Sequence, residues 1–238
     1  MTDTDTGTNT DTDTDFLTAT RTFYDTVAED YAAQFRDGLA DRPLDLAVLT
    51  GFAGLVAANG ADGEVADLGC GPGWTTAHFA ALGLPVFGLD LSESMVAIAR
   101  REYPELRFEQ GSMLELDLPD GVLSGVVSFY SSIHTPTDRL PGLFAEFLRV
   151  LAPGGHLLLA FQVGDRPRHL DRPYGHPVSL DFRRRRPEAM ADLLSAAGFA
   201  LVSRTVREAE ADLGETAPQA FLIAKKPTQI HRNRPEPV

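Results

Sequence analysis

Apolar positions along the chain follow two periods. Tyr24, Val27, Ala28, Tyr31 and Phe35 fall at i, i+3, i+4, i+7 and i+11, the stripe of an amphipathic helix. A second helix is expected at about 42–58, and with the first it makes a helical cap over residues 19–60. From there short apolar runs replace the stripe, near 64–68, 85–90, 106–110, 123–130, 155–163, 200–207 and 219–225. Helical patterns separate them near 73–82, 92–102, 138–151 and 187–197. Leu140, Leu143, Phe144, Phe147, Leu148 and Leu151 keep one face of the third of these helices, and Pro153-Gly154-Gly155 stops it. Pro187 and Gly198 bracket the last one, at its first turn and its C-terminal cap. Strands alternating with helices predict an α/β fold, a doubly wound seven-stranded sheet covered on both faces, over a core of 61–226. The repeat TDTDTGTNTDTDTD (2–15) has no apolar residue to bury, so residues 1–18 are expected to be a disordered tail that could serve as a solubility or interaction tag. Residues 227–238 read as a flexible C-terminal tail.

The densest chemical signal lies where the first two strands end. Val65-Ala-Asp-Leu-Gly-Cys-Gly-Pro-Gly-Trp74 is an apolar strand entering a glycine turn at which a helix begins. Val86-Phe-Gly-Leu-Asp-Leu-Ser92 is a second strand, ending in Asp90, 21 residues after Gly69. Glycines let a backbone approach a ligand where a Cβ would intrude, and a carboxylate at the second strand end can accept both hydroxyls of a ribose. Asp90 could also cap the helix opening at Ser92. The third glycine of a dinucleotide fingerprint is replaced by Trp74, which argues against a nicotinamide or flavin dinucleotide.

These segments resemble the class I S-adenosylmethionine-dependent methyltransferases. The matching stretches are DLGCGPG (67–73), GLDLSESMVAIAR (88–100), FEQGSM (108–113) and LRVLAPGGHLLLAF (148–161), in family order and spacing. YDTVAEDYA (24–32) resembles the helix that many small-molecule members carry ahead of the core, and the likeness covers roughly residues 20–226. It implies a Rossmann-like sheet with an antiparallel last strand and S-adenosylmethionine as cofactor. Asp67, Gly69, Gly71 and Gly73 would hold the methionine part, and Asp90, with Leu91 beside it, the ribose. The family often places an acid on the adenine; here the position reads Ser112, which could bond an adenine edge while Met113 packs on the ring. Phe129 completes the expected cofactor contacts.

Methyl transfer is an in-line displacement from a sulfonium, so alignment and exclusion of water are the main requirements. A neutral hydroxyl or amine must also lose a proton. His134, in the segment Phe129–Pro136 after the fourth strand, is the candidate general base, its ordinary pKa of about 6.5 suiting that role; the alternative is that it orders the turn. Tyr24, Tyr31 and Tyr130 could line the methyl site and favour the cationic sulfur, or, for the first two, pack in the core. Residues 164–186 carry seven arginines against three aspartates, read as a substrate loop whose His169, Tyr174 and His176 could touch substrate. An anionic substrate group would explain the arginines, and so would a solvated surface.

Composition narrows the partners. The net charge is −13, and residues 1–15 account for five aspartates of it, so the folded part is acidic and a nucleic acid is not expected. No apolar run approaches the roughly 18 residues of a membrane span, and no basic leader precedes one, so a cytoplasmic protein is expected. One cysteine, Cys70, excludes an internal disulfide, and no metal site is expected. The expected activity is methyl transfer to an O or N atom of a small molecule, such as a secondary metabolite, by a protein that could form a homodimer. The alternatives are a cyclisation or elimination on the same fold, or a cofactor-binding regulator without catalysis.

Overall fold

The structure, a computed structural model, describes residues 9–35, 39–60 and 63–228, with side chains from residue 16. Two helices, α1 (Asn9–Gln34) and α2 (Pro43–Ala58), precede the core. The core alternates β1 (Val65–Leu68), α3 (Trp74–Ala81), β2 (Val86–Asp90), α4 (Glu93–Glu102), β3 (Arg107–Gln110), β4 (Leu123–Phe129), α5 (Leu140–Val150) and β5 (Leu151–Gln162). A hairpin of β6 (Arg168–Asp171) and β7 (Ser179–Phe182) follows, then α6 (Pro187–Ala197), β8 (Ala200–Arg207) and β9 (Gln219–Lys225).

Seven strands form one sheet in the order β3-β2-β1-β4-β5-β9-β8. The first five run parallel, and β9 lies antiparallel between β5 and β8, as the family resemblance implies. After β1 the chain builds outward through β2 and β3, then returns to place β4 on the other side of β1. The carboxyl ends of β1 and β4 therefore border the crevice where such sheets take ligands.

The sheet is buried on both faces. Leu143, Phe144 and Phe147 of α5 and Met190 and Leu194 of α6 fill one side, in the stripe the sequence predicts. Phe52 and Val56 of α2 and Phe79 of α3 fill the other, against Val127, Leu158 and Phe221. β1 and β2 are buried at every residue, which is why they read as continuous apolar runs rather than alternating ones.

Three boundaries differ from expectation. α1 begins at Asn9, so the second half of the Asp/Thr repeat, expected to be disordered, enters the helix. Extending an existing helix costs far less than nucleating one, and aspartates suit its positive end; residues 1–8 lie outside the described residues, as do 229–238 of the C-terminal tail. The helix of 138–151 ends at Val150, and Leu151 already pairs with Leu123, so Pro153-Gly154-Gly155 lies within β5. The substrate loop of 164–186 contains the β6–β7 hairpin, which packs on α1 through Leu180 and Phe182 beside Phe23 and Val27.

One polar network is locked into this frame. Arg207, at the end of β8, donates from Nε and an Nη to Asp45 of α2 at 2.6 and 3.2 Å, and from both Nη to Glu215 at 2.6 and 2.7 Å. Arg42 joins Glu215 at 2.7 Å. Asp45 is fully buried, so its charge is tolerable only because this bidentate contact replaces water. Asp45→Ala should therefore cost about 3 to 5 kcal/mol in urea unfolding, the range for removing one partner of a buried pair; a loss below about 1 kcal/mol would contradict this account.

Candidate active site

The cavity over the carboxyl ends of β1 and β4 measures about 530 Å³, within the ~300–1,000 Å³ usual for small-molecule sites. Its floor is the glycine turn. Gly69, Gly71 and Gly73 have φ of +76°, +53° and +90°. A Cβ on Gly69 would stand 2.2 Å from that of Ser131, whereas one on Gly71 would meet nothing within 4 Å and project into the cavity. Gly73 does not border the cavity; it makes room for the Phe108 ring, 2.8 Å from where its Cβ would be.

Asp90 closes this end. Its Oδ2 accepts from Gly71 N–H at 2.8 Å and its Oδ1 from Ser92 N–H at 2.9 Å. A carboxylate offers about four acceptor positions, so roughly two remain. Burial, opposed by these hydrogen bonds, pushes its pKa up to about 6. Ser92 caps α4 by accepting from Met95 N–H at 3.1 Å and donates to Asp25 of α1 at 2.6 Å, which ties the helical cap to the cofactor strand. Asp25 was not among the expected site residues; a lone helix acid carries no signal of a partner 67 residues away.

Asp67 departs from expectation. It is 1% exposed and does not line the cavity; its Oδ2 accepts from Thr76 Oγ1 at 2.7 Å beneath the turn, and its buried Oδ1 has no hydrogen-bond partner among the described residues. Burial raises its pKa to about 7.

Aromatic rings form the wall. Tyr31 stacks on Trp74 with centroids 6.0 Å apart, Tyr24 meets Tyr31 edge-on at 6.0 Å, and Phe182 meets His134 at 4.8 Å. Trp74, which ruled out a dinucleotide, thus returns as a wall residue. Burial raises the Tyr31 hydroxyl to about 12 and the Tyr24 hydroxyl well above its ordinary value. His134 is buried; its Nδ1–H donates to the Asp181 carbonyl at 3.2 Å, so in the neutral ring Nε2 accepts from the Tyr24 hydroxyl at 2.8 Å. Burial, reinforced by nearby Arg183, lowers its pKa to about 4, against the ordinary value expected for a base. Tyr130 holds φ +57°, unusual for a residue with a Cβ; among the described residues neither its buried hydroxyl nor the Gln162 Oε1, also at the cavity, has a hydrogen-bond partner.

The cavity therefore gathers Tyr24, Tyr31, Tyr130, His134 and Tyr174 with Gly69, Gly71, Asp90, Leu91, Ser112, Met113 and Phe129. His169 and His176 stand outside it, bonded at 2.8 Å to Asp181 and Asp30. The hairpin pleat explains His169: residue 169 points away from the face that carries Leu170. An open glycine cradle, a carboxylate with spare acceptor positions and an aromatic wall suited to a sulfonium together fit a nucleoside with a cationic sulfur. Fold and site thus define the Rossmann-like class I architecture that binds S-adenosylmethionine.

Comparison with known proteins agrees. A family model described as a methyltransferase domain matches residues 65–155. Trans-aconitate 2-methyltransferase of Rhizobium meliloti is 33% identical over 111 residues, 45% of this chain and 42% of that one. The solved magnesium protoporphyrin IX methyltransferase of Synechocystis PCC 6803, with bound cofactor, superposes with a TM-score of 0.65 at 19% identity, over 89% of this chain and 97% of that one. The cyclase SpnF shares the fold at a TM-score of 0.57 and 22% identity, over 74% and 80%. The chain spans about half or less of the curated relatives it matches. Residues 65–155 thus match a methyltransferase domain, and the sheet as a whole has the fold of solved S-adenosylmethionine-dependent methyltransferases.

The buried carboxylates give a stability test. A folded-state pKa raised to about 7 means that Asp67 is stabilising when protonated, and that stability falls as pH rises from about 4 through 7. Asp67→Asn should raise stability at pH 8 by on the order of 2 to 4 kcal/mol and change little at pH 4, read by thermal unfolding of the free protein. An equal effect at both pH values would contradict the assignment.

Proposed function

We propose that the protein transfers the S-adenosylmethionine methyl group to an O or N atom of a small molecule, in the cytoplasm. Asp90 would hold the ribose diol with its spare acceptor positions, Gly69 and Gly71 would leave room for the methionine part, Ser112 and Met113 would meet the adenine, and Phe129 would pack beside them. Asp67 would support the turn from below. When bound, the cofactor supplies an electrophilic methyl on a sulfonium; the chain supplies alignment, dryness and a path for the proton.

That path is the Tyr24–His134 pair, and its 2.8 Å hydrogen bond at the cavity wall is the observation that carries the reading. The substrate hydroxyl or amine would donate to the Tyr24 oxygen, whose own proton passes to His134 Nε2. Asp181 holds the ring in the required tautomer. Because an acceptor becomes strongly acidic as it gains a methyl, a weak base suffices for a concerted transfer. The relatives' names span unlike acceptors, trans-aconitate in one and demethylmenaquinone in another, so the acceptor follows from the outer cavity rather than from the family. Cyclisation or elimination is the second reading; the shared fold of SpnF favours it, and detection of demethylated cofactor decides between them.

Screening metabolites for cofactor-dependent gain of one methyl should yield a substrate. With it, Tyr24→Phe and His134→Ala should each lower kcat by about 10²-fold to 10⁴-fold, and the double variant should be no worse than the more damaging single one, because the two act as a unit. S-adenosylhomocysteine affinity should stay near wild type. At saturating cofactor, wild-type kcat should hold down to about pH 5 and fall only as pH approaches the His134 value of about 4. Multiplicative losses in the double variant, or an acidic limb near pH 6.5, would refute the relay.

A further inference from the structure

The outer end of the cavity carries a charge pattern that identifies a class of acceptor. In the β6–β7 hairpin Arg168 pairs with Phe182 and Leu170 with Leu180, and directly opposed residues share a face. That face turns toward α1: Phe182 packs on Phe23 at 5.9 Å, and Leu170 and Leu180 join Phe23 and Val27. The other face carries His169 and Asp181, bonded to each other and exposed. Arg168 is the one charged side chain on the α1-facing side of the two strands, and it lines the cavity. Arg21 lines it as well, one helical turn before Tyr24 on α1.

Neither guanidinium makes a hydrogen bond or ion pair with a described residue. Arg42, which also lines the cavity, holds a carboxylate, as do Arg101, Arg149 and Arg207 elsewhere, whereas Arg166 and Arg172, outside the cavity, hold none among the described residues. With 34 acidic residues against 21 basic ones, potential partners for Arg21 and Arg168 are abundant, yet both exposed arginines line the same cavity with no partner among the described residues. A merely solvated arginine would be equally served by the outward face of the hairpin.

We infer that Arg21 and Arg168 together bind an oxyanion, a carboxylate or a phosphate, carried by the methyl acceptor; the inference rests on the methyltransferase reading for the word acceptor. Guanidinium groups recognise such anions through paired N–H donors. The acceptor is then a molecule with its negative group between α1 and the hairpin, an apolar body along Phe23, Tyr24 and Phe182, and its O or N atom at the Tyr24–His134 pair. Asp90, which also lines the cavity, repels the anion and so disfavours its binding at the glycine turn.

The test follows the arginine Nε–H signals by NMR in the full chain saturated with S-adenosylhomocysteine, Arg21 and Arg168 being assigned from Arg21→Gln and Arg168→Gln. Benzoate, phenyl phosphate and neutral benzamide are the probes. One or both anions should move the two signals saturably, with a dissociation constant of about 1 to 10 mM, as expected for so small a ligand. Benzamide should not move them, and the double variant should bind the anion about tenfold or more weakly. Equal response to benzoate and benzamide, no response to either anion, or affinity unchanged in the double variant would overturn the inference. If S-adenosylhomocysteine alone shifts both signals and the anions then shift neither, the arginines serve the cofactor carboxylate and the inference fails. If S-adenosylhomocysteine does not bind at all, the methyltransferase reading falls, while the same titration on the free protein still decides the arginine pair.

Discussion

The Asp90 carboxylate joins the two turns that make the cofactor end of the cavity. One oxygen takes the Gly71 N–H from the turn after β1, and the other takes the Ser92 N–H from the turn after β2. The sheet brings these turns together, because β1 and β2 are parallel neighbours in register from Val65 and Val86 onward. Ser92 extends the connection to Asp25, so the helical cap, the second strand and the glycine turn share one hydrogen-bonded line. Replacing the carboxylate would release Gly71 N–H, Ser92 N–H and the entry of α4 at once.

That arrangement has an electrostatic cost. Asp90 and Asp67 are both buried beside the turn; burial opposes ionisation of each, the charge of Asp90 adds to this at Asp67 and that of Asp25 at Asp90, and no described cation faces either at ion-pair distance. Free energy is therefore stored in the free protein at neutral pH, and a cationic ligand that donates hydrogen bonds to Asp90 relieves it. Arg21 and Arg168, which also line the cavity, have the inverse imbalance, with no hydrogen-bond or ion-pair partner among the described residues. The Tyr24–His134 pair, also at the cavity, is kept uncharged by its own burial.

Much of the fold was legible because its signals are local. Buried parallel strands read as apolar runs, α5 shows its stripe, and the glycine turn and Asp90 sit within a few residues of the chemistry they serve. The antiparallel β9 came from family resemblance, since nothing local encodes strand direction. The hairpin was hidden because four-residue strands such as Arg168–Asp171 carry too few apolar positions to show a period, and the arginine density drew attention to charge instead. Asp67 shows a different limit: spacing puts it at the strand end, but whether its side chain enters the cavity or turns beneath it depends on Thr76 and on the turn. The His134 pKa depends on burial in the assembled fold, on the Asp181 carbonyl and on the charge of Arg183, both nearly 50 residues further along the chain, surroundings that no local pattern encodes.

Isothermal titration of S-adenosylhomocysteine as a function of pH tests the role of Asp90 most directly. If the ionised carboxylate takes the ribose, binding requires loss of the proton held with a pKa of about 6. Affinity for wild type should then fall about tenfold per pH unit below about 6, with protons released on binding, and should level off above about 7. Asp90→Asn should bind about 1.5 to 3 kcal/mol more weakly at pH 7.5, as for loss of hydrogen bonds to a charged group, and should lose the slope associated with that proton. Equal affinity of the two proteins at pH 7.5, with the same slope below pH 6, would contradict the account.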